Sequence, residues 1–531
     1  MSRFKVWFTK FSLVLVVCGM LVLIGCNGDV TPEPKPGITK FDPQKGPEGT
    51  EVVIEGENFN AAAAKNTVKF AGVAVPTADI TVDSATRLKA KVPPGARTGL
   101  ISVTTPGGTA SSKENFEVIP GAGVEWTFLI YLDADNNLET AGINDFQEMA
   151  KTGSSSRVNI VVQMDRHPGT TPPYYTGFFG GWDGTRRFLV KKDDDPSVTP
   201  LQDLGEKNMG DPEVLRDFVE WGVKNYPAKH YALVIWNHGD GWRGNMLKMQ
   251  QLMLKIKDAR SERGQEGGIS KAIASDDTDN DVLYMKEVQE ALESAVTNLK
   301  GNNGFEKFDI IGFDACLMGM VEVAYAMRNV THYMVGSEDL EPGDGWPYDL
   351  ILKELTSVQS VTPDKLARII VTEYVNSYRG RIGITQGAVD ISKLNALVTA
   401  IDAFTAKANA EWSGLKEARK NTEEFNRMTF STWGVDLRDF ADKVFNQVTS
   451  VDLKGVALDL RNAVDDFVII EGHSSDLPGS NGVSIYFPPD QRRFDQDPDH
   501  YGYEETNTFM PVDFVKFSRW DNWLKDFYSN I

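Results

Sequence analysis

Five apolar runs, each closing on a polar or acidic residue, constrain this chain more than any other feature. They read WTFLIYLDAD from Trp126, VNIVVQMD from Val158, YALVIWNHG from Tyr231, FDIIGFDAC from Phe308 and HYMVGSED from His332. A strand with one wet face alternates polar and apolar residues; runs this short and continuous predict strands buried on both faces. Segments of helical character lie between them, at 211–225, 285–299 and 318–328. Strands alternating with helices predict a mostly parallel sheet between two helical layers, an α/β/α sandwich. In such sheets the residues that meet ligands stand just beyond the carboxyl ends of the strands. Asp133, Asp165, His238 and Cys316 all fall there.

The chain before Val124 has a different texture. Residues 37–119 hold short alternating stretches, GTEVVIEGENF, NTVKFAGVAV, RLKAKVPPG and GLISVTTPGG, cornered by Gly and Pro. That spacing predicts an all-β, immunoglobulin-like sandwich. GPEGTEVVIEGENF and VPPGARTGLISVTTPGG resemble an IPT/TIG domain, a module that implies a spacer or interaction surface. With 531 residues the chain exceeds what one core serves, so two folded units are expected, 37–119 and 124–531.

The first residues read as an address. Arg3, Lys5 and Lys10 precede an apolar stretch at 11–24 that is too short to span a bilayer comfortably, and LIGC follows. The ending resembles a lipobox, which implies a signal peptide over 1–25, lipid on Cys26, and a Pro-rich tether over 26–36. Two or more acyl chains would hold an exported protein to the cell envelope, on a leaflet the sequence leaves open. The net charge of -20, with no basic stripe, argues against nucleic acid as a partner.

Of three cysteines, Cys18 lies in the leader and Cys26 at its end, so Cys316 has no partner for an internal disulfide. A solitary cysteine after an apolar run is either a small buried hydrophobe or a nucleophile. Among six histidines, His238 directly follows a strand and precedes a glycine in WNHGDGW. Gly239, lacking a Cβ, lets its backbone N–H approach a substrate carbonyl. No H-E-x-x-H zinc motif, G-x-S-x-G elbow or P-loop is present.

YALVIWNHGDGW together with FDIIGFDACLMGMVEVAYAM resembles the clostripain family of cysteine peptidases, which have a caspase-like fold. YLDADNNLE, GSEDLEPGDGWPY and GVSIYFP extend the likeness over 124–531. The resemblance implies His238 as general base, Cys316 as nucleophile, and the Gly239 and Cys316 amides as oxyanion donors. It also implies cleavage of protein or peptide substrates after Arg or Lys. Asp314 and Asp344 are then the acids that receive the basic side chain; read without the resemblance, Asp314 completes a helix start and Asp344 shapes a turn.

Two further stretches invite a role. Residues 246–271 are rich in Lys, Arg and Gln and interrupt the chain between His238 and Cys316; they are either a flexible surface insertion or, as the resemblance implies, a segment that is cut in related peptidases, with Lys271 or the 260–263 region as the candidate processing site. DDTDND at 276–281 is either a solvated acidic loop or an oxygen-rich site for Ca2+; it lacks the Gly and closing Glu of an EF-hand. No metal ligands are assigned from sequence, and no cofactor is required. The reading is an exported, lipid-anchored cysteine endopeptidase. Its rivals are an inert surface lipoprotein whose β-sandwich does the work, and a peptidase with acidic or small P1 preference.

Overall fold

The computed structural model describes residues 33–93, 96–118, 124–169, 179, 181–243, 274–358, 360–425, 433–497, 503 and 512–531. Cys26, with the leader before it, and Lys271, with the 260–263 region, lie outside the described residues. The chain divides into two compact units. Among the described residues no helix is long and apolar enough to cross a membrane.

The first unit is all β. One antiparallel sheet runs Gly37–Asp42, Glu51–Glu57, Arg87–Lys91, Ile80–Ser84; another antiparallel run takes Gly108–Val118, Gly99–Thr105, Thr67–Phe70, Val73–Ala74. Alternate residues turn inward, as the period of two requires: Val52, Ile54, Leu88, Ala90, Ile101 and Val103 are buried while their neighbours face out.

The second unit is built on a nine-stranded sheet. In chain order its strands are β1 (Trp126–Ala134), β2 (Val158–Arg166), β3 (Gly184–Leu189), β4 (Gln202–Gly205), β5 (His230–Trp236), β6 (Phe308–Asp314), β7 (Thr331–Gly336), β8 (Thr385–Asp390) and β9 (Val468–His473). In space they run β4-β3-β2-β1-β5-β6-β7-β8-β9. The five central strands, β2, β1, β5, β6 and β7, are parallel; two antiparallel strands flank them on each side. The expected parallel sheet is thus confined to the centre, where both faces are covered.

Parity along each strand sorts the side chains between two cores. Phe128, Ile130, Val162, Val234, Trp236 and Ile310 enter one, under helices Glu139–Thr152, Tyr348–Ser357 and Pro363–Ser377. Leu129, Tyr131, Val161, Leu233, Ile235 and Phe313 enter the other, under helices Pro212–Asn225, Met285–Leu299 and Leu394–Lys407. Two expected elements shrink. The helix read at 318–328 covers only Val321–Ala326, because Met320 remains extended and bridges Ser484. The late strand is Ser484–Tyr486, and Ser484 N–H donates to the Gly319 carbonyl, tying the loop after Cys316 to the chain's final third.

Candidate active site

β5 and β6 are adjacent and parallel, with Trp236 opposite Asp314. Pairing continues past the last ladder position, since Asn237 N–H donates to the Asp314 carbonyl at 3.3 Å. Two residues on, His238 and Cys316 share the parity of Trp236 and Asp314, so both follow the same face of the sheet. Gly239 seals the approach: a Cβ there would stand 2.2 Å from the Cys316 carbonyl oxygen and 3.0 Å from its nitrogen. No side chain fits between the two strand ends. The loop after Gly239 is pinned by Trp242, packed on Tyr486 and Tyr503, and by Arg243, whose buried guanidinium makes two bonds to Asp497 at 2.6 and 3.1 Å.

The half-buried Cys316 Sγ accepts the Glu341 N–H at 3.2 Å. Burial pushes this thiol up to about 12, and the nearby Glu341 and Asp339 charges push the same way, so at rest it is protonated. His238 Nε2 lies 2.8 Å from Asn137 Oδ1. An acceptor there favours the neutral tautomer protonated at Nε2, leaving the lone pair of a general base on Nδ1. The Asn237 carboxamide braces the same loop, its Nδ2 donating to the Asp133 carbonyl and carboxylate at 2.9 and 2.8 Å. His230 pairs with Asp309 at the opposite, amino end of β5, and His473 pairs with Glu471 on the edge strand β9.

Asp314, read from sequence as a pocket acid or a turn-completing one, is buried with two donors on Oδ2: Trp346 N–H at 3.1 Å and Tyr348 Oη at 2.8 Å. It is not isolated. Glu341 shares a hydrogen bond with it and takes Gln386 Nε2 at 3.0 Å. Two carboxyl groups so joined must hold a proton between them. Asp145, on the helix Glu139–Thr152, completes the group, held by Trp236 Nε1 at 2.7 Å. Gly345, in the left-handed region at φ +58, passes over the Asp314 and Asp145 carboxyls, where a Cβ would come within 3.0 to 3.2 Å of their oxygens. Burial, then mutual charge, raises Asp145 and Glu341 well above the usual range; burial pushes Asp314 up to about 6. Among the described residues no lysine or arginine pairs with these three acids.

Asp344 stands apart from them. Its side chain is 73% exposed and pairs with Arg381 at 3.4 Å, over the ring of Tyr378. Sequence reading named Asp314 but not Asp145 and Glu341, the buried acids that accompany it. In the acidic run at 276–281 Asp276 is buried, while residues 277–280 face solvent.

Residues 130–527 match the Clostripain family, and residues 36–118 match the IPT/TIG domain. The chain is 25% identical over 422 residues to clostripain of Hathewaya histolytica, spanning 69% of this chain and 75% of that protein. It is also similar to a solved secreted C11 cysteine protease from Bacteroides thetaiotaomicron in complex with an irreversible peptide inhibitor. That likeness has 20% identity and a TM-score of 0.50, covering 75% of this chain and 100% of the other. An inactive zymogen C11 protease from Parabacteroides distasonis aligns at 18% identity and a TM-score of 0.48, covering 77% of this chain and 100% of that one.

Proposed function

The chain belongs to the clostripain family of cysteine peptidases, and from that premise we propose that His238 and Cys316 form its working pair, cleaving after arginine or lysine. The supporting observation is the continued β5–β6 pairing, which carries the two residues side by side on one face. The substrate's P1 cation enters the Asp145, Asp314 and Glu341 group, whose raised acids ionise against it. Burial holds the Cys316 thiol protonated, so its proton leaves only as sulfur attacks. His238 Nδ1 then takes the Sγ proton, and sulfur bonds to the scissile carbonyl carbon. The Gly239 and Cys316 N–H groups face the developing oxyanion. Collapse breaks the C–N bond, His238 returns the proton to the leaving amine, and water, deprotonated by His238, releases the acid from the thioester.

A fluorogenic panel varying P1 tests this on the wild type and Cys316→Ala, alongside a thiol-directed probe bearing P1 Arg. Arg and Lys substrates should be turned over, and the probe should label Cys316 and fail on His238→Ala. Turnover by Cys316→Ala would sink the nucleophile. A blank on every substrate would favour the inert lipoprotein, and acidic or small P1 preference would overturn the pocket.

Export with lipid on Cys26 is part of the same reading, supported by the basic, apolar, LIGC order of the leader. Metabolic labelling with a fatty-acid analogue that persists in Cys26→Ser would refute it. Processing near Lys271 is likewise proposed; an intact mass identical in active wild type and Cys316→Ala would end it.

A further inference from the structure

The residue after Cys316 stands in a conformation its side chain resists. Leu317 lies in the left-handed region at φ +65, so its surroundings must hold it there. The holder is the loop 337–341, which follows β7. Its Asp339 carbonyl accepts the Leu317 N–H at 3.1 Å, its Ser337 carbonyl accepts the Gly319 N–H at 2.7 Å, and its Glu341 N–H reaches Cys316 Sγ. The two segments touch closely: a Cβ on Gly319 would stand 2.8 Å from the Ser337 carbonyl carbon and 2.9 Å from the Glu338 nitrogen. Thr385 Oγ1, on β8, takes the Glu338 and Asp339 N–H groups at 3.1 and 3.0 Å and pins one side of the loop. The buried Glu338 side chain pins the other. Its Oε2 accepts Ser480 Oγ and the Gly482 N–H, and its carboxyl shares a hydrogen bond with that of Asp436, the N-cap of helix Leu437–Gln447. The Asp436 oxygens already take the N–H groups of Asp439 and Asn481 at 2.6 Å each and Asn481 Nδ2 at 3.0 Å. Among the described residues Glu338 Oε1 has no donor, so the proton that the two carboxyls share belongs to Glu338 and points at Asp436.

We propose that Glu338 is a positioning residue for the Cys316 turn: its carboxyl, bonded to that of Asp436, fastens the 337–341 loop and thereby the left-handed backbone at Leu317. That role rests on the reading of Cys316 as nucleophile; the tie between the segments stands without it. Glu338 acts through the backbone of its neighbours and not on sulfur. Burial, then the Asp436 charge, raises Glu338 well above the usual range, and burial pushes Asp436 up to about 7. Above about 7 the pair therefore keeps one proton, carried by Glu338. When that proton leaves at higher pH, two buried carboxylates face each other and the loop is driven from its anchor. A raised carboxyl contributes stability while protonated and loses it as pH climbs through its folded pKa. The surrounding charges do not relieve this. Asp339 and Glu341 on the same loop, Glu423 and Asp439 beside Gly479, and Glu471 beside Gly482 are all acids. The cations nearby are engaged elsewhere: Arg438 by Asp465 and Asp442, Lys443 by Asp439, and His473 by Glu471.

The full chain is assayed on an Arg substrate from about pH 6 to about pH 10 beside Glu338→Ala and Glu338→Gln. Amide exchange across residues 315–319 is compared among the three at each pH. Glu338→Ala should lower kcat about 100-fold, as a misplaced reacting group does, with KM within about twofold. Glu338→Gln, whose carboxamide donates to Asp436 at every pH, should recover most of that loss. At the alkaline end the wild type should lose kcat about tenfold per unit and exchange faster at Leu317 and Gly319 than Glu338→Gln, which should show no such fall. Should Glu338→Ala fail to fold, the pH profile of Glu338→Gln decides instead. Superimposable profiles for wild type and Glu338→Gln overturn the proposal, as does a loss in Glu338→Ala that lies in KM and not in kcat. A chain that cleaves nothing, or one still active as Cys316→Ala, overturns the catalytic pair. Exchange then decides the tie alone, and equal alkaline exchange in wild type and Glu338→Gln overturns it.

Discussion

Two groups of buried acids occupy the same edge of one sheet, on opposite faces, and their walls differ. Around Asp145, Asp314 and Glu341 stand Trp236, Trp346 and Tyr348; the Trp236 indole, the Tyr348 hydroxyl and the Trp346 backbone amide hold the carboxyls in place. Around Asp135, Asp165 and Asp276 the donors are backbone amides, of Arg166, Met209 and Asp279. Aromatic walls accept the alkyl stem and flat head of an arginine. Oxygens converging on a point from several segments suit a bare ion. Charge alone would not separate the two sites; the wall does.

The sharpest way to break this contrast is Asp314→Asn. Removing one partner of a buried charge pair costs about 3–5 kcal/mol, so kcat/KM for an Arg substrate should fall about 1000-fold. Turnover of a norleucine analogue should hardly move. Equal losses on the arginine and norleucine substrates would show that Asp314 supports the fold rather than the cation.

A pH series gives the next effect. The Asp314 carboxyl, pushed up to about 6 by burial, must be ionised to receive arginine. As pH falls through about 6 the acid takes up a proton, and KM for the Arg substrate should rise about tenfold per unit below that point. The norleucine analogue should show no such rise. The acid's own contribution to stability runs the opposite way: a raised carboxyl is most favourable below its unfolded pKa, and that advantage fades as pH climbs past about 6.

The smallest effect is expected from Asp344→Asn. That side chain is exposed and already engaged by Arg381. Its loss should change KM for Arg substrates about two- to threefold, as for other exposed pairs. A change as large as that of Asp314→Asn would move the specificity acid to the rim.

The placement of His238 and Cys316 at neighbouring strand ends was legible because strand periodicity carries it. An apolar run announces where a strand ends, and parity then aims His238 and Cys316. Asp145 was not legible: it sits on the inward side of a helix, in a segment 169 residues before Asp314, and nothing local marks it as part of that group. Glu341 and Asp344 share an irregular turn, where no period tells which acid faces inward; the glycines beside Asp344 made it the more visible choice. In the 276–281 run the hairpin turns only Asp276 inward, toward acids supplied from elsewhere in the chain, and leaves 277–280 to solvent. The outline of the sheet was predictable for the reason its centre is dry, whereas its antiparallel margins lack that signature.

The adjacency of β5 and β6 has a consequence for the covalent chain. His238 and Cys316 belong to strands that hydrogen-bond directly, and β5 is also laddered to β1. Their alignment is enforced laterally, by the weave of the sheet. A hydrolysed backbone between β5 and β6 would leave two fragments still laddered to each other through those strands, the ends that carry His238 and Cys316 included.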